Sequence, residues 1–251
     1  MSAAGSRGTA VQAACWLLAL LALGCGAVSA AGPAGEVTHV SGAFLATRAD
    51  GTSRVLAPKS TIEEGELLTT ADNTYARVKF TDGGEITLRP NTRLQIEAYQ
   101  FDAKKPQGDS FIVSLIKGGL RSITGLLGKR RADSYNMRTP VATIGIRGTH
   151  YGALLCQADC GGLATAAAQV PQDGLHVDVA DGAISLTNGA GQTVLAQGSF
   201  GYVPNAQTVP LQVPPTQGIV VPIAASGAGP GAGALSAAAP GSPLAEDCVA
   251  Q

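Results

Sequence analysis

Positive charge runs out part-way along this chain. No lysine or arginine follows Arg147, and the only charged residues beyond it are Asp159, Asp173, Asp178, Asp181, Glu246 and Asp247. Charged residues make up 14% and aromatics 4% of the 251 residues, while glycine (33) and proline (14) are plentiful. Charge is thus well below the usual quarter of a globular chain, and the balance favours short strands and many turns over long amphipathic helices. The length allows one large domain or two small ones with a real core.

Long hydrophobic runs are missing too. The longest, Val11 to Leu23, has the length of the apolar part of an export signal and is too short to span a bilayer. Residues 1–30 therefore read as a signal peptide, with Val28-Ser29-Ala30 as the cleavage site of a soluble product. Ala22-Leu23-Gly24-Cys25 competes as a lipid-attachment site with its apolar residue one place late, so a lipid anchor at Cys25 is the less favoured outcome. No transmembrane span is expected in the mature chain, and an exported location follows, in the periplasm or at the cell surface.

Catalytic constellations are equally scarce. His39, His150 and His176 stand in unrelated contexts, outside any metalloprotease or esterase motif. Glu63, Glu64 and Glu66 share a turn, which fits a solvated loop better than an acid–base pair. "TDGG" at 81–84 precedes no helix and so is no phosphate loop. Neither an enzyme nor a cofactor is expected. The export signal agrees with disulfide use. With Cys15 and Cys25 assigned to the leader, Cys156 and Cys160 in "CQADC" suit a short-loop disulfide. Zinc is the rival, but no second ligand pair accompanies them. Cys248 is then the odd thiol.

What the sequence does contain is β-strand grammar. Ala76, Val78 and Phe80 alternate with Arg77, Lys79 and Thr81; a tight turn follows at "TDGG"; Ile86 and Leu88, then Leu94 and Ile96, continue one apolar face. Upstream, Asp50-Gly51 and Glu64-Gly65 break short β-prone runs, and downstream Gly118-Gly119 reads as a further turn between two strands. A repeat adds to this. Gly42-Ala43, Gly51 and Val55-Leu56-Ala57 recur as Gly182-Ala183, Gly191 and Val194-Leu195-Ala196, either as a second β-unit stacking on a shared core or by chance in a glycine- and alanine-rich chain. Beyond Tyr202, proline, alanine and glycine dominate with almost no charge, so residues 204–251 read as a disordered tail.

Four blocks in order, "GEVTHVSGAF", "EEGELLTTADNTYARVKFTDGGEITLRPNTRLQI", "IKGGLRS" and "TPVATIGIRGTHY", make the stretch from Gly35 to about Tyr151 resemble the FecR domain family. The resemblance implies an all-β domain on the far side of a bacterial inner membrane. In the family's regulators, that domain passes a signal from an outer-membrane receptor to a cytoplasmic sigma factor. The expected organisation is a FecR-like β domain at 35–151 and a second β-unit at 152–203 that continues it, arranged as a β-roll, solenoid-like stack or sandwich. The regulators' anti-sigma segment has no counterpart ahead of Gly35, so a stand-alone exported module is expected. Its favoured work is non-enzymatic binding of an envelope protein or ligand. The alternatives are binding of a cell-wall polymer or polysaccharide, and a place in a FecR-type iron-responsive signalling system. No nucleic-acid partner is expected.

Two groups of residues stand out. Arg121, Lys129, Arg130, Arg131 and Arg138 form a basic stretch that either meets an anionic partner or is ordinary solvated charge, the second reading being preferred. The family motif contributes Thr139, Pro140, Gly145, Arg147, Gly148 and Thr149. Alternation puts Ile144 and Ile146 inward and Arg147 outward, so Arg147 is read as a clamp on neighbouring carbonyls in preference to a ligand contact.

Overall fold

The computed structural model of the protein describes residues 32–223. Their strands, joined into one sheet, are β1 (Gly35–Val40), β2 (Phe44–Thr47), β3 (Ser53–Val55), β4 (Thr61–Ile62), β5 (Leu67–Thr70), β6 (Ala76–Phe80), β7 (Glu85–Leu88), β8 (Arg93–Gln100), β9 (Ser110–Ile123), β10 (Tyr135–Arg138), β11 (Thr143–Cys156), β12 (Gly174–Asn188), β13 (Gly191–Ala196), β14 (Phe200–Val203) and β15 (Leu211–Val213). A single turn of α-helix, α1 (Leu126–Arg130), lies between β9 and β10. The expected signal segment, Cys25, Cys248 and the end of the expected tail lie outside the described residues.

Most strands are short, but β9, β11 and β12 have 14, 14 and 15 residues, and these three organise the sheet. Their halves pair with different neighbours. In one arm the order is β3, β2, β5, β8, the first half of β9, β10, the first half of β11, the second half of β12, and β13. The other arm runs β4, β1, β6, β7, the second half of β9, the second half of β11, the first half of β12, β14 and β15. The sheet folds over along the line where the long strands pass between arms. Each carries a glycine with positive φ at that line: Gly118 (80°), Gly148 (59°) and Gly182 (76°). Such a backbone is strained for other residues, and the Gly182 position is also closed sterically, since a β-carbon there would strike the Gly148 carbonyl. The pairing of β11 with β12 shifts register at this point, between Arg147 and His150, as a β-bulge does.

Both arms point their apolar faces into one core that contains Phe44, Leu68, Val78, Ile86, Leu94, Leu115, Leu120, Ile144, Tyr151, Val177 and Leu186. The alternation of β6, β7 and β8 is the one expected, with Ala76, Val78, Phe80, Ile86, Leu88, Leu94 and Ile96 all buried. At the far ends of β11 and β12 alternation disappears. Every residue from Tyr151 to Cys156 and from Gly174 to Val179 is buried, because a second small cluster of Leu154, Cys156, Cys160, Ile219 and Val221 covers the outer face there.

Three expectations are corrected. Gly118-Gly119 is no hairpin turn: β9 runs through it, and Gly118 only bends the strand. The expected tail does not begin at 204. β15 pairs with β14, and Ile219 and Val221 are 3% and 1% exposed. Proline-rich composition did not prevent this, because Pro210, Pro214 and Pro215 flank β15 without occupying its ladder positions. The boundary at 151/152 falls inside β11, so residues 152–203 complete the same sheet. The two repeat copies take the same form. β2–β3 and the end of β12 with β13 are both hairpins, with Phe44 and Ile184, Ala46 and Leu186, and Leu56 and Leu195 buried at matching places. They stand at opposite ends of one arm.

Candidate functional site

Thr139 and Pro140 make the turn into β11. The Thr139 hydroxyl donates to the Ala142 carbonyl at 2.7 Å and accepts the Ala142 amide at 3.0 Å, which fixes the chain around Pro140 without a ladder bond. Gly145 faces Ser185, whose Oγ lies 2.7 Å from where a β-carbon would stand. The clamp expected of Arg147 is not made by its side chain. Arg147 is exposed, and its backbone amide donates to Thr149 Oγ1 at 3.1 Å. The threonine does the clamping. Its hydroxyl donates to the Ala183 carbonyl at 2.7 Å, and its amide and carbonyl bond to the Thr124 hydroxyl at 3.1 and 2.7 Å. A bulge at Gly148 leaves backbone groups without ladder partners, and Thr149 and Thr124, 3% and 4% exposed, satisfy them.

Most of the basic stretch has partners within the chain. Arg130 binds Asp109 at 2.5 Å and lies over the Phe101 ring at 4.8 Å. Arg131 donates to the Gln107 carbonyl at 2.8 Å and lies 3.7 Å from Asp133. Arg138 pairs with Glu97 at 2.5 Å, while Lys129 is exposed on α1. Arg121 is buried, at 8% side-chain exposure. These arginines, close in sequence, thus pair with carboxylates from different parts of the chain, Asp178 on β12, Glu97 on β8, and Asp109 and Asp133 in connecting segments. In the carboxylate turn Glu63 and Glu64 face solvent as expected, but Glu66 is 1% exposed, binds Arg54 at 2.8 Å and accepts the Glu63 amide at 3.0 Å.

Arg121 belongs to a buried polar arrangement that joins three strands. Arg121 on β9, Gly152 on β11 and Asp178 on β12 stand opposite one another across three strands. Gly152 has no side chain, so the guanidinium and carboxylate meet over it, Nη2 to Oδ2 at 2.6 Å. A β-carbon on Gly152 would overlap Asp178 Oδ1 and approach Val221 Cβ to 2.7 Å. The pair is capped by the segment after β15. Val221 donates its amide to Asp178 Oδ1 at 2.9 Å, and its carbonyl accepts from Arg121 Nε and Nη2 at 3.4 and 3.3 Å. His150 Nε2 lies 3.4 Å from Arg121 Nη1. Burial, with the Arg121 charge second, holds the His150 imidazole below its usual pKa.

The expected disulfide is present between Cys156 and Cys160, with an S–S distance of 2.12 Å. It forms the floor beside this cap, in the cluster with Leu154, Ile219 and Val221. Next to it the chain from Thr165 to Gln172, with His176, Tyr202, Val213 and Gln217, lines a cleft of about 190 Å³. His176 stacks on Tyr202 at 4.7 Å and reaches the Gln172 carbonyl at 2.8 Å, and burial lowers its pKa. Among the described residues no group of three or more His, Cys, Asp or Glu is placed to hold a metal ion. None of the described helices is long and apolar enough to cross a membrane. Sequence reasoning missed Asp178, although an acid inside the apolar run "LHVDVA", in a region without a basic residue, signalled a distant arginine.

The family model described as FecR protein matches residues 66–185, from the turn before β5 to the second half of β12. It is over residues 66–185 that the chain carries the FecR domain match. The match includes the whole "TPVATIGIRGT" block and extends past Tyr151, consistent with β12 belonging to the same sheet. Two crystal structures of a protein from Parabacteroides distasonis ATCC 8503, named as a candidate anti-sigma factor and solved at 1.65 and 2.50 Å, also align with the chain. Identity is 15% in both, with TM-scores of 0.42 and 0.43, and the alignment covers 59% of this chain and 58% of that one. The chain therefore matches less than two thirds of that protein's length. No curated protein matches the chain.

Proposed function

We propose that this FecR domain is a non-enzymatic sensing module of the bacterial envelope, exported to the periplasm or cell surface, that works by contacting another protein. The observation that carries this reading is the fate of charge and edges together. Of the arginines that an anionic polymer would need, Arg121 is buried and Arg130 and Arg138 are paired with carboxylates of the same chain, whereas β3, an edge strand paired with β2 alone, leaves Val55 75% exposed. β13 at the other end of the arm likewise leaves Val194 65% exposed. An edge with an exposed β-branched side chain is suited to strand addition by a partner. FecR-type signalling, in which such a contact relays an envelope signal, is the form of this function that the family match supports.

The test is co-purification from solubilised envelopes, comparing the unaltered protein with Val55→Lys and Val194→Lys. A partner recovered with the unaltered protein and lost with either variant supports edge recognition. Retention on peptidoglycan that weakens with salt, without any protein partner, would overturn it in favour of the polymer.

A further inference from the structure

The segment over Arg121 and Asp178 is held in an unusual way. Gly218 to Val221 follows β15 and a short turn at Pro215–Gln217, and no strand of the sheet pairs with it. Its hold on the sheet comes from two side chains that address one residue: a carboxylate takes the Val221 N–H and a guanidinium gives to the Val221 C=O. Those groups are common to every residue except proline, so this recognition is independent of side-chain identity. Selectivity comes from the pockets beside it. Ile219 and Val221 enter a cluster of Leu154, Cys156 and Cys160 that is separate from the main core. Val220 between them is 63% exposed. Gly218 lies against the Phe200 ring, 2.5 Å from Cδ1 to where a β-carbon would be. The result is a groove for a Gly-apolar-x-apolar segment in extended form, with the buried ion pair at its centre.

Two features make this groove exchangeable. Removing the segment uncovers Leu154, Cys156 and Cys160 and gives up the bond from the Ala166 amide to the Gly218 carbonyl, but it breaks no strand pairing in either arm of the sheet. The ion pair stays assembled without it, because Arg121 keeps Asp178 and His150. We propose that the Arg121–Gly152–Asp178 groove is a docking site for an extended peptide segment of a partner protein with small or branched apolar residues at alternate positions, and that residues 218–221 occupy it in the resting protein. The inference rests on the protein-contact reading above and gives it a location. A partner segment competes with the chain's own, and its binding releases the C-terminal part of the chain.

The experiment uses the full mature chain and a fluorescently labelled peptide of residues 217–223, QGIVVPI, followed by anisotropy. The chain's own segment reduces the affinity of the unaltered protein by occupying the site. The Ile219→Asp/Val221→Asp variant is expected to bind the peptide about ten-fold tighter or more. Adding Gly152→Val to that variant should abolish binding. Equal binding by all three proteins, or none by the freed variant with a cooperative melt, overturns the proposal. So does a dimer formed by exchanged segments that excludes the peptide, which would make a second copy the occupant. If the freed variant does not fold, amide exchange of Val221 in the unaltered protein decides. Exchange well ahead of the β11 and β12 amides supports release, and exchange only with global unfolding refutes it. A partner recovered from envelopes while the peptide fails removes this site and leaves the proposed function standing.

Discussion

Replacing Asp178 with leucine isolates the worth of the buried pair. The side chains of Arg121 and Asp178 are 8% and 7% exposed, so the substitution leaves a guanidinium in a sealed place with only His150 and the Val221 carbonyl near it. Breaking a buried pair from one side costs about 3–5 kcal/mol. At about 2–4 °C per kcal/mol for a domain of this size, Asp178→Leu should lower the melting temperature by roughly 6–20 °C. The double variant Arg121→Met/Asp178→Leu removes both charges and should recover most of that loss, since such pairs are often replaced by apolar groups at little cost. A residual deficit of about 1–3 kcal/mol is expected from the Val221 N–H, which then lacks its acceptor. Urea titrations followed by circular dichroism on the two variants and Arg121→Met complete the cycle. A cost under about 1 kcal/mol for Asp178→Leu alone would refute the reasoning, because it would mean that water reaches the guanidinium.

The corner glycines separate two kinds of strain. Gly148→Ala has open space around it and should lose about 1–2 kcal/mol from its positive φ alone, whereas Gly182→Ala also strikes the Gly148 carbonyl and should lose more in the same melts. Arg147→Ala should stay within about 0.5 kcal/mol of the unaltered protein, since the side chain is exposed; a fall of several degrees would restore the clamp. Cys156→Ser/Cys160→Ser opens a loop of sequence separation 4, for which chain entropy gives about 2 kcal/mol, and its effect should match that of dithiothreitol on the unaltered protein. Burial holds His150 and His176 below the ordinary histidine value of 6.5 in the folded protein, so the unfolded chain binds their protons first. Stability should therefore be fully present above that value and fall as pH drops through it toward the folded values. Melts between neutral and mildly acidic pH check this, and no loss in His150→Gln/His176→Gln is the matching control.

The face of β6, β7 and β8 is legible because one side of each strand is buried and the other wet, which writes a two-residue period into Ala76–Phe80 and its neighbours. At Tyr151–Cys156 and Gly174–Val179 both faces are covered, so the period vanishes and the sequence reveals only apolarity. Glycine pairs read alike whether they reverse a chain or bend a strand, which is why Gly118-Gly119 resembles a turn. In the basic stretch Arg121 alone departs from the solvated charge expected of it, being buried, and the partners of the stretch are not legible for a related reason. Arg121, Arg130 and Arg138 find acids 57, 21 and 41 residues away, and sequence proximity among cations carries no information about such partners. The segment at 219–221 is hidden by its proline-rich surroundings, and its ordering depends on Gly152, a residue whose contribution is the space it leaves.

β9, β11 and β12 each belong to both arms of the sheet. Opening the arms like a clamshell would have to break all three at their bends, so no hinge separates one half of the molecule from the other. The described residues are thus tied into one sheet through three continuous strands, from the β3 edge to the β15 end. What can move without breaking the three long strands is the periphery, namely the edge hairpins and the segment seated over Gly152. A message passing through this protein would therefore be carried by what docks and what lets go at its margins, with the interior serving as a fixed rule against which those exchanges are measured.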